Sequence, residues 1–164
     1  MSATACLLCD ADAAIQQLNR TLVWEDDLWR LSMSRRGYTT GFAYLEPKRH
    51  VPHVTDLADD EAATFGSTLA RVTSALQEAA GAEIVYVYIF GGGIPHLHVH
   101  LGPHREGDAL NANILRGELD WEPLPGGAHK PGGAHKMVSR DFPELPSEEI
   151  AAVADRVREL LTNG

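Results

Sequence analysis

The sequence is poor in cysteine, in basic residues and in long apolar runs, and each shortage narrows the classes of protein it can encode. Its 14 lysines and arginines stand against 23 acidic residues. The resulting net charge of −9 repels polyanions, so we do not expect a nucleic acid polymer as a partner. No apolar stretch approaches the roughly 20 residues that cross a bilayer, and the N-terminal MSATACLLCD has no basic region before an apolar one. We therefore expect a cytoplasmic protein with no membrane partner.

The only two cysteines, Cys6 and Cys9, form the pattern Cys-Leu-Leu-Cys. In a reducing compartment such a pair is more often half of a metal site, or a redox pair, than a structural disulfide. A redox pair is expected at the start of a helix that follows a strand, and the sequence predicts no strand before Cys6. We therefore predict that the two cysteines form half of a metal site, and we expect its two other ligands to be histidines.

Apolar residues make up 44% of the 164 positions, which is enough for one folded domain with a tail. Alternating and three-to-four-residue apolar spacings distinguish the predicted strands from the predicted helices. The predicted elements are two strands within residues 21–33, a third strand over 41–47, a long helix over 59–80, a central strand over 83–90 and a helix that begins at Ser147.

Residues 125–136 repeat the hexapeptide PGGAHK twice in tandem. Glycine and proline at this density are typical of loops, so we expect a flexible loop here. A metal site that uses His129 and His135 is the alternative for this segment.

Three histidines alternate with apolar residues over positions 96–101, the pattern of a strand with two different faces. His96, His98 and His100 share one face, but same-face neighbours on a strand lie about 6.6 Å apart. One metal ion held by all three alone is therefore awkward, whereas two of them with ligands from elsewhere are acceptable. A half-exposed strand that carries histidines by chance is the alternative.

The segment His96-Leu97-His98-Val99-His100-Leu101-Gly102 resembles the signature of the histidine triad family. The earlier segments VWED and EPKRH resemble that family's first hairpin and its proline, lysine and histidine segment, so the resemblance spans roughly residues 6–104. It implies an α+β fold with an antiparallel sheet of about five strands, one long helix packed on it and a C-terminal helical extension. The implied organisation is a domain over 1–105 with an N-terminal zinc arm, an extension over 106–164, and a homodimer.

The resemblance also implies a nucleotidyl hydrolase or transferase. His98 would attack the α-phosphorus of a nucleoside 5′-phosphate conjugate, such as a dinucleoside polyphosphate or a phosphoramidate, and form a covalent nucleotidyl-histidine intermediate. His100 would assist at the phosphate or the leaving group. A nucleotide-binding or scaffolding protein without turnover, and a metalloenzyme that uses the triad as ligands, are the alternatives.

Family members with an N-terminal Cys-x-x-Cys hold a structural zinc ion, and the resemblance assigns its ligands to Cys6, Cys9, His50 and His96. Such a closed Cys2His2 set is structural rather than catalytic. His53 is the alternative to His50.

The resemblance assigns four further residues to the substrate. Gly92 and Gly93 stand where family members contact phosphate, and their backbone N–H groups can come close to it. Ser34 stands at the ribose-binding position, and Trp24 is assigned to the same pocket. His104, which follows the triad's proline, is expected on the surface.

Overall fold

The computed structural model describes residues 6–37, 39–89, 94–108, 121–123, 129–131 and 142–163. Three α-helices and seven strands lie within these residues, and short 3-10 turns cover Leu7–Cys9 and Val54–Asp56. The helices are α1 (Ala11–Gln17), α2 (Asp59–Ala80) and α3 (Ser147–Asn163). The strands are β1 (Arg20–Glu25), β2 (Trp29–Ser34), β3 (Ala43–Pro47), β4 (Ile84–Tyr88), β5 (Val99–His104), β6 (Trp121–Pro123) and β7 (His129–Pro131).

Local sequence signals place the ends of these elements. The Asp10 side chain accepts a hydrogen bond from the Ala13 N–H and so caps α1, because the first N–H groups of a helix have no partner within it. Three acidic residues occupy the first turn of α2, where they face the positive end of the helix dipole. Gly81 ends α2 in the left-handed conformation, as the sequence predicts.

The main sheet is antiparallel, with five strands in the order β1-β2-β3-β5-β4. The predicted α+β fold is therefore confirmed. The prediction that residues 83–90 form a central strand is wrong, because β4 lies at the edge of the described sheet. Ile84, Val87 and Ile89 are 46%, 44% and 41% exposed there. Apolar residues on both faces of a strand predict burial above and below, which β4 does not show, and they carry no information about its lateral neighbours. The homodimer stays a prediction.

One face of the sheet, the helix face, is covered by α2 and α3. Alternate residues of the three inner strands point into the core, including Leu31, Leu45 and Leu101, which are all fully buried. Ile150, Ala154, Val157 and Leu161 of α3 join the same core. Burial of each larger apolar side chain is worth about 1.5–3 kcal/mol, so the terminal helix is held by the core rather than by its own helix propensity. The domain boundary at residue 105 stays a prediction.

The triad strand begins later than its alternating pattern suggests. β5 covers Val99–His104, so His96 and His98 precede its ladder, and only His100 lies within it. The ladder to β3 ends at Ala43 opposite Leu101, and beyond that point β5 pairs only with β4. Pro103 is tolerated in this inner strand because one side of β5 has no ladder to β3 at that position.

Two other predictions need correction. His104 lies in β5, is 5% exposed and has its ring 5.7 Å from that of Tyr86, so it is not a surface residue. Part of the PGGAHK segment is a strand, because His129–Pro131 pairs with Trp121–Pro123 in a separate two-stranded sheet. The rest of the repeat, including His135, lies outside the described residues.

Candidate functional site

Cys6, Cys9, His50 and His96 converge on one point, and one ligand atom from each lies within 4.8 Å of all the others. The 3-10 turn brings the two cysteines together, His50 follows β3, and His96 precedes β5. Cys6 Sγ lies 3.4 Å from His96 Nδ1, and Cys9 Sγ lies 3.4 Å from His50 Nδ1 and 3.6 Å from His96 Nδ1. A tetrahedral zinc ion would separate its sulfur and nitrogen ligands by about 3.6 Å. These three distances are close to that separation, so the four donors could hold a metal.

Hydrogen bonding fixes which nitrogen of His96 faces the cysteines. Nε2 lies 2.8 Å from the Pro47 carbonyl oxygen, which can only accept, so Nε2 carries the proton and Nδ1 presents its lone pair. Burial lowers the pKa of His96 and favours this neutral form. A carbonyl that orients a ligating imidazole in this way is common around protein metal sites.

The Cys9 thiol of the cluster is held in its protonated form without a metal. Burial, followed by the hydrogen bond and charge of Cys6, raises the pKa of Cys9 to about 11. A metal ion reverses this preference, because thiolate ligands bind it with their protons displaced. The cluster is therefore poised to take a dication and release protons.

His98 holds the opposite tautomer to His96. Its Nδ1 lies 2.7 Å from the His96 carbonyl oxygen and must donate to it, so in the neutral ring Nε2 carries the free lone pair. The side chain is 9% exposed, and its ring centroid lies 5.1 Å from that of His100. An imidazole with one nitrogen anchored to the backbone and the other unprotonated is a prepared nucleophile.

His100 stands in an aromatic enclosure on the sheet face opposite the helices, called here the triad face. Its ring stacks on Tyr88 at 5.1 Å and meets the edges of Tyr44 and Phe42. Burial, and then the charges of His98 and Arg20, lower the pKa of His100 to about 3. The ring is therefore neutral at pH 7, and any help it gives there comes from a neutral N–H group.

Sequence reasoning missed a buried ion pair on the triad face. Arg20 Nη1 lies 2.5 Å from Glu46 Oε1, and the two residues are 6% and 1% exposed. The Arg20 guanidinium carbon lies 3.5 Å from the Tyr44 ring centroid. Glu46 belongs to the quoted segment EPKRH, and a buried strand that carries a carboxylate was the available signal for it.

The substrate residues assigned from the resemblance are not all brought together. Ser34 lies on the triad face but is 2% exposed, and its hydroxyl donates to the Arg36 carbonyl at 2.7 Å. Trp24 packs against the core on the helix face, where the Arg71 guanidinium lies 5.6 Å from its ring. Gly92 and Gly93 lie outside the described residues. His53 is exposed and does not join the metal cluster.

A five-stranded antiparallel sheet with three alternating histidines, beside a Cys2His2 cluster that could hold a metal, is the arrangement of a histidine triad protein. The sequence matches the HIT domain over residues 16–107, more than half of the chain. The chain belongs to the HIT family.

Known relatives differ in how much of them the chain covers. It is 32% identical over 75 residues to the nitrilase and fragile histidine triad fusion protein NitFhit of Caenorhabditis elegans, covering 43% of this chain and 17% of that protein. It is 27% identical over 108 residues to an uncharacterized HIT-like protein of Mycobacterium tuberculosis, covering 61% of this chain and 75% of that protein. The chain thus spans about a sixth of the fusion protein's length.

Solved structures show the same fold at low sequence identity. A hypothetical histidine triad nucleotide-binding protein of Sulfolobus tokodaii superposes with a TM-score of 0.63 at 21% identity, over 96% of this chain and 93% of that one. A zinc-bound histidine triad family protein of Mycobacterium smegmatis gives 0.61 at 18% identity, over 99% and 96%. None of the helices in the described part of our chain is both long and apolar enough to span a membrane.

Proposed function

We propose that the protein is a nucleotidyl hydrolase or transferase that acts at the α-phosphate of a nucleoside 5′-phosphate conjugate. The observation that carries this proposal is the hydrogen bond of His98 Nδ1 to the His96 carbonyl at 2.7 Å, because it leaves the Nε2 lone pair available for attack. Nucleotide binding is consistent with the description of the Sulfolobus tokodaii neighbour. Dinucleoside polyphosphates and nucleoside phosphoramidates are the proposed substrate classes.

The covalent step is a displacement at phosphorus. The Nε2 lone pair of His98 forms the N–P bond while the bond from phosphorus to the leaving group breaks, and the leaving group departs with that electron pair and takes up a proton. His100, neutral at pH 7, donates a hydrogen bond at the phosphate or the leaving group. Water or another acceptor then attacks phosphorus, loses its proton, and returns the electron pair to Nε2.

We also propose that Cys6, Cys9, His50 and His96 hold a structural zinc ion. The sulfur-to-nitrogen distances of 3.4 to 3.6 Å and the lone pair of His96 Nδ1 support this assignment. Four protein ligands leave no open position, so the ion would fix the N-terminal arm and the triad segment without entering the chemistry. The zinc-bound Mycobacterium smegmatis neighbour is consistent with the choice of metal.

The test is a search for the covalent intermediate. The protein is mixed separately with diadenosine tetraphosphate, diguanosine tetraphosphate, adenosine 5′-phosphoramidate and guanosine 5′-phosphoramidate. Each reaction is quenched, and the mass of the intact protein is measured by mass spectrometry. We expect a mass increase of one nucleoside monophosphate in the wild type and none in His98→Asn. Asparagine keeps a donor for the His96 carbonyl, so its loss of labelling reports the nucleophile rather than the fold. Absence of both adduct and turnover with every conjugate contradicts the proposal.

A nucleotide-binding protein without turnover is the second candidate. The observation that favours it is Ser34, whose buried hydroxyl is already engaged by the Arg36 carbonyl. Binding of adenosine or guanosine monophosphate without any adduct in the same assay would support this second function.

A further inference from the structure

The ion pair between Arg20 and Glu46 has no part in the chemistry proposed above, although it lies on the triad face. Both residues are more than nine-tenths buried, and their charged atoms are 2.5 Å apart. The free energy needed to remove two charges from water is about as large as the free energy that their attraction provides. Apolar residues of similar size are therefore often as stabilising as a buried ion pair. A contribution to fold stability is therefore a weak explanation for the presence of this ion pair. The residues around it indicate a role in the chemistry of His98 instead.

Strand register places Glu46 beside the proposed nucleophile. The ladder between β3 and β5 pairs Tyr44 with His100 and Leu45 with Val99 and ends there, so Glu46 and His98 are the next residue of each segment, one step beyond the last pair. Side chains two apart on a strand share a face, which puts Glu46 on the triad face with Tyr44 and its contact His100. The carboxylate therefore neighbours the His98 ring without replacing the hydrogen bond of Nδ1 to the backbone.

One arginine holds this carboxylate in place and a second lies close to it. Arg20 grips it while lying over the Tyr44 ring, and Arg30 stands opposite Glu46 in the ladder between β2 and β3. Burial raises the pKa of Glu46, and the Arg20 charge opposes that change. Guanidinium groups do not lose their protons in proteins, so a neutral Glu46 would leave the buried Arg20 cation without its counter-charge. We therefore assign Glu46 as ionised.

We propose that Glu46 is a positioning residue for His98, with a carboxylate that offsets the positive charge the His98 ring acquires when Nε2 bonds to phosphorus. This inference rests on the proposed nucleotidyl transfer. During that step the Nδ1 proton stays on the hydrogen bond to the His96 carbonyl, so the ring becomes a cation until the N–P bond breaks. Glu46 remains ionised throughout and exchanges no proton. A fixed charge aimed at a developing opposite charge stabilises the transition state more than the ground state.

The experiment separates bond formation from binding. Glu46→Gln keeps the shape and a hydrogen-bond acceptor for Arg20 but removes the charge. We expect the single-turnover rate of adduct formation, with the conjugate that labels the wild type fastest, to fall about 10- to 100-fold. The affinity for the corresponding nucleoside monophosphate should stay within about twofold, since the ground state carries no charge on the ring.

The matched control is Glu61→Gln. Glu61 lies on α2 and is another buried carboxylate that pairs with an arginine, Arg49, so the substitution removes the same charge at a different place. We expect wild-type labelling from this control. Equal slowing of both variants, or a parallel loss of affinity in Glu46→Gln, would show a merely structural role and overturn the inference.

A second comparison guards against misfolding of Glu46→Gln. Arg20→Met and Arg20→Met/Glu46→Leu differ only in the carboxylate, and the double variant leaves no lone charge from the pair. We expect the double variant to be at least as stable as Arg20→Met and yet to label more slowly, and equal or faster labelling would overturn the inference. A wild type that forms no adduct with any conjugate would refute the proposed function and the inference together, and the wild type alone reveals that outcome.

Discussion

His96 and His98 are two residues apart, yet they hold opposite tautomers because each meets a different carbonyl oxygen. The His96 proton lies on Nε2, toward Pro47, and the His98 proton lies on Nδ1, toward His96 itself. Resemblance could predict which four residues cluster as a possible metal site, and the cluster is confirmed. It could not predict these protons, because they depend on distances to backbone atoms that the sequence does not specify.

At this same scale, the buried ring of His100 gives the protein a specific sensitivity to acid. The unfolded chain takes up its proton near pH 6.5, whereas the folded protein takes it up only near pH 3. As pH falls through this window, protonation favours the unfolded state by about 1.4 kcal/mol for each pH unit. Chemical denaturation between pH 7 and 4 should therefore show a shallower loss of stability in His100→Asn than in the wild type. His53→Asn, which changes an exposed histidine, should keep the wild-type slope, and a wild-type slope in His100→Asn would contradict the assignment.

Among the elements, apolar periodicity predicted the helices and most strand positions, because a helix or strand that packs on a core repeats its apolar residues regularly. It failed for the place of β4 and for the partners of Glu46. Both depend on strand order and register, which are set by contacts between segments far apart in the chain. Glu46 meets Arg20 across 26 residues, and no local pattern in the sequence encodes that pairing.

The entry into β3 depends on a glycine that admits no side chain. Gly41 has a φ of +105°, and a Cβ added there would lie 3.2 Å from Pro103 Cγ and 3.3 Å from Ala80 Cβ. We expect Gly41→Ala to lower the free energy of unfolding by about 1–3 kcal/mol, since it adds both backbone strain and overpacking. Gly66→Ala is the matched control, because Gly66 lies inside α2 with no neighbour within 4 Å of an added Cβ. It should raise stability by about 0.5–1 kcal/mol, and urea denaturation of both variants measures the contrast.

On the scale of the whole molecule, the metal cluster ties together three distant parts of the chain. Cys6 and Cys9 belong to the N-terminal arm, His50 follows β3, and His96 lies 90 residues beyond Cys6. Arg30 adds a second connection, since its guanidinium donates to the Leu8 carbonyl at 3.3 Å. The arm is thus attached to the sheet beside the triad, and a bound metal would close a loop that includes most of the fold.

Loss of the metal should therefore destabilise the whole domain. A cross-link around a loop of this length is worth about 4–5 kcal/mol in the chain-entropy treatment used for disulfides. We expect Cys6→Ala to lose the ion and to unfold roughly 10 °C lower than the wild type. His98→Ala should retain one zinc per chain. Atomic emission measures the metal content and calorimetry the midpoint. Retention in Cys6→Ala with loss in His98→Ala would instead identify the triad as the metal site.

The 90-residue separation of Cys6 and His96 also sets the order of events while the protein is being made. At about 5–20 residues per second, a ribosome adds His96 roughly 5–18 s after Cys6. The two cysteines must spend that interval without their full ligand set, and the four-ligand site can close only once the triad segment has left the ribosome. Binding of a metal by all four ligands would therefore have to wait for the triad segment, and the cysteine pair would be open to oxidants until then.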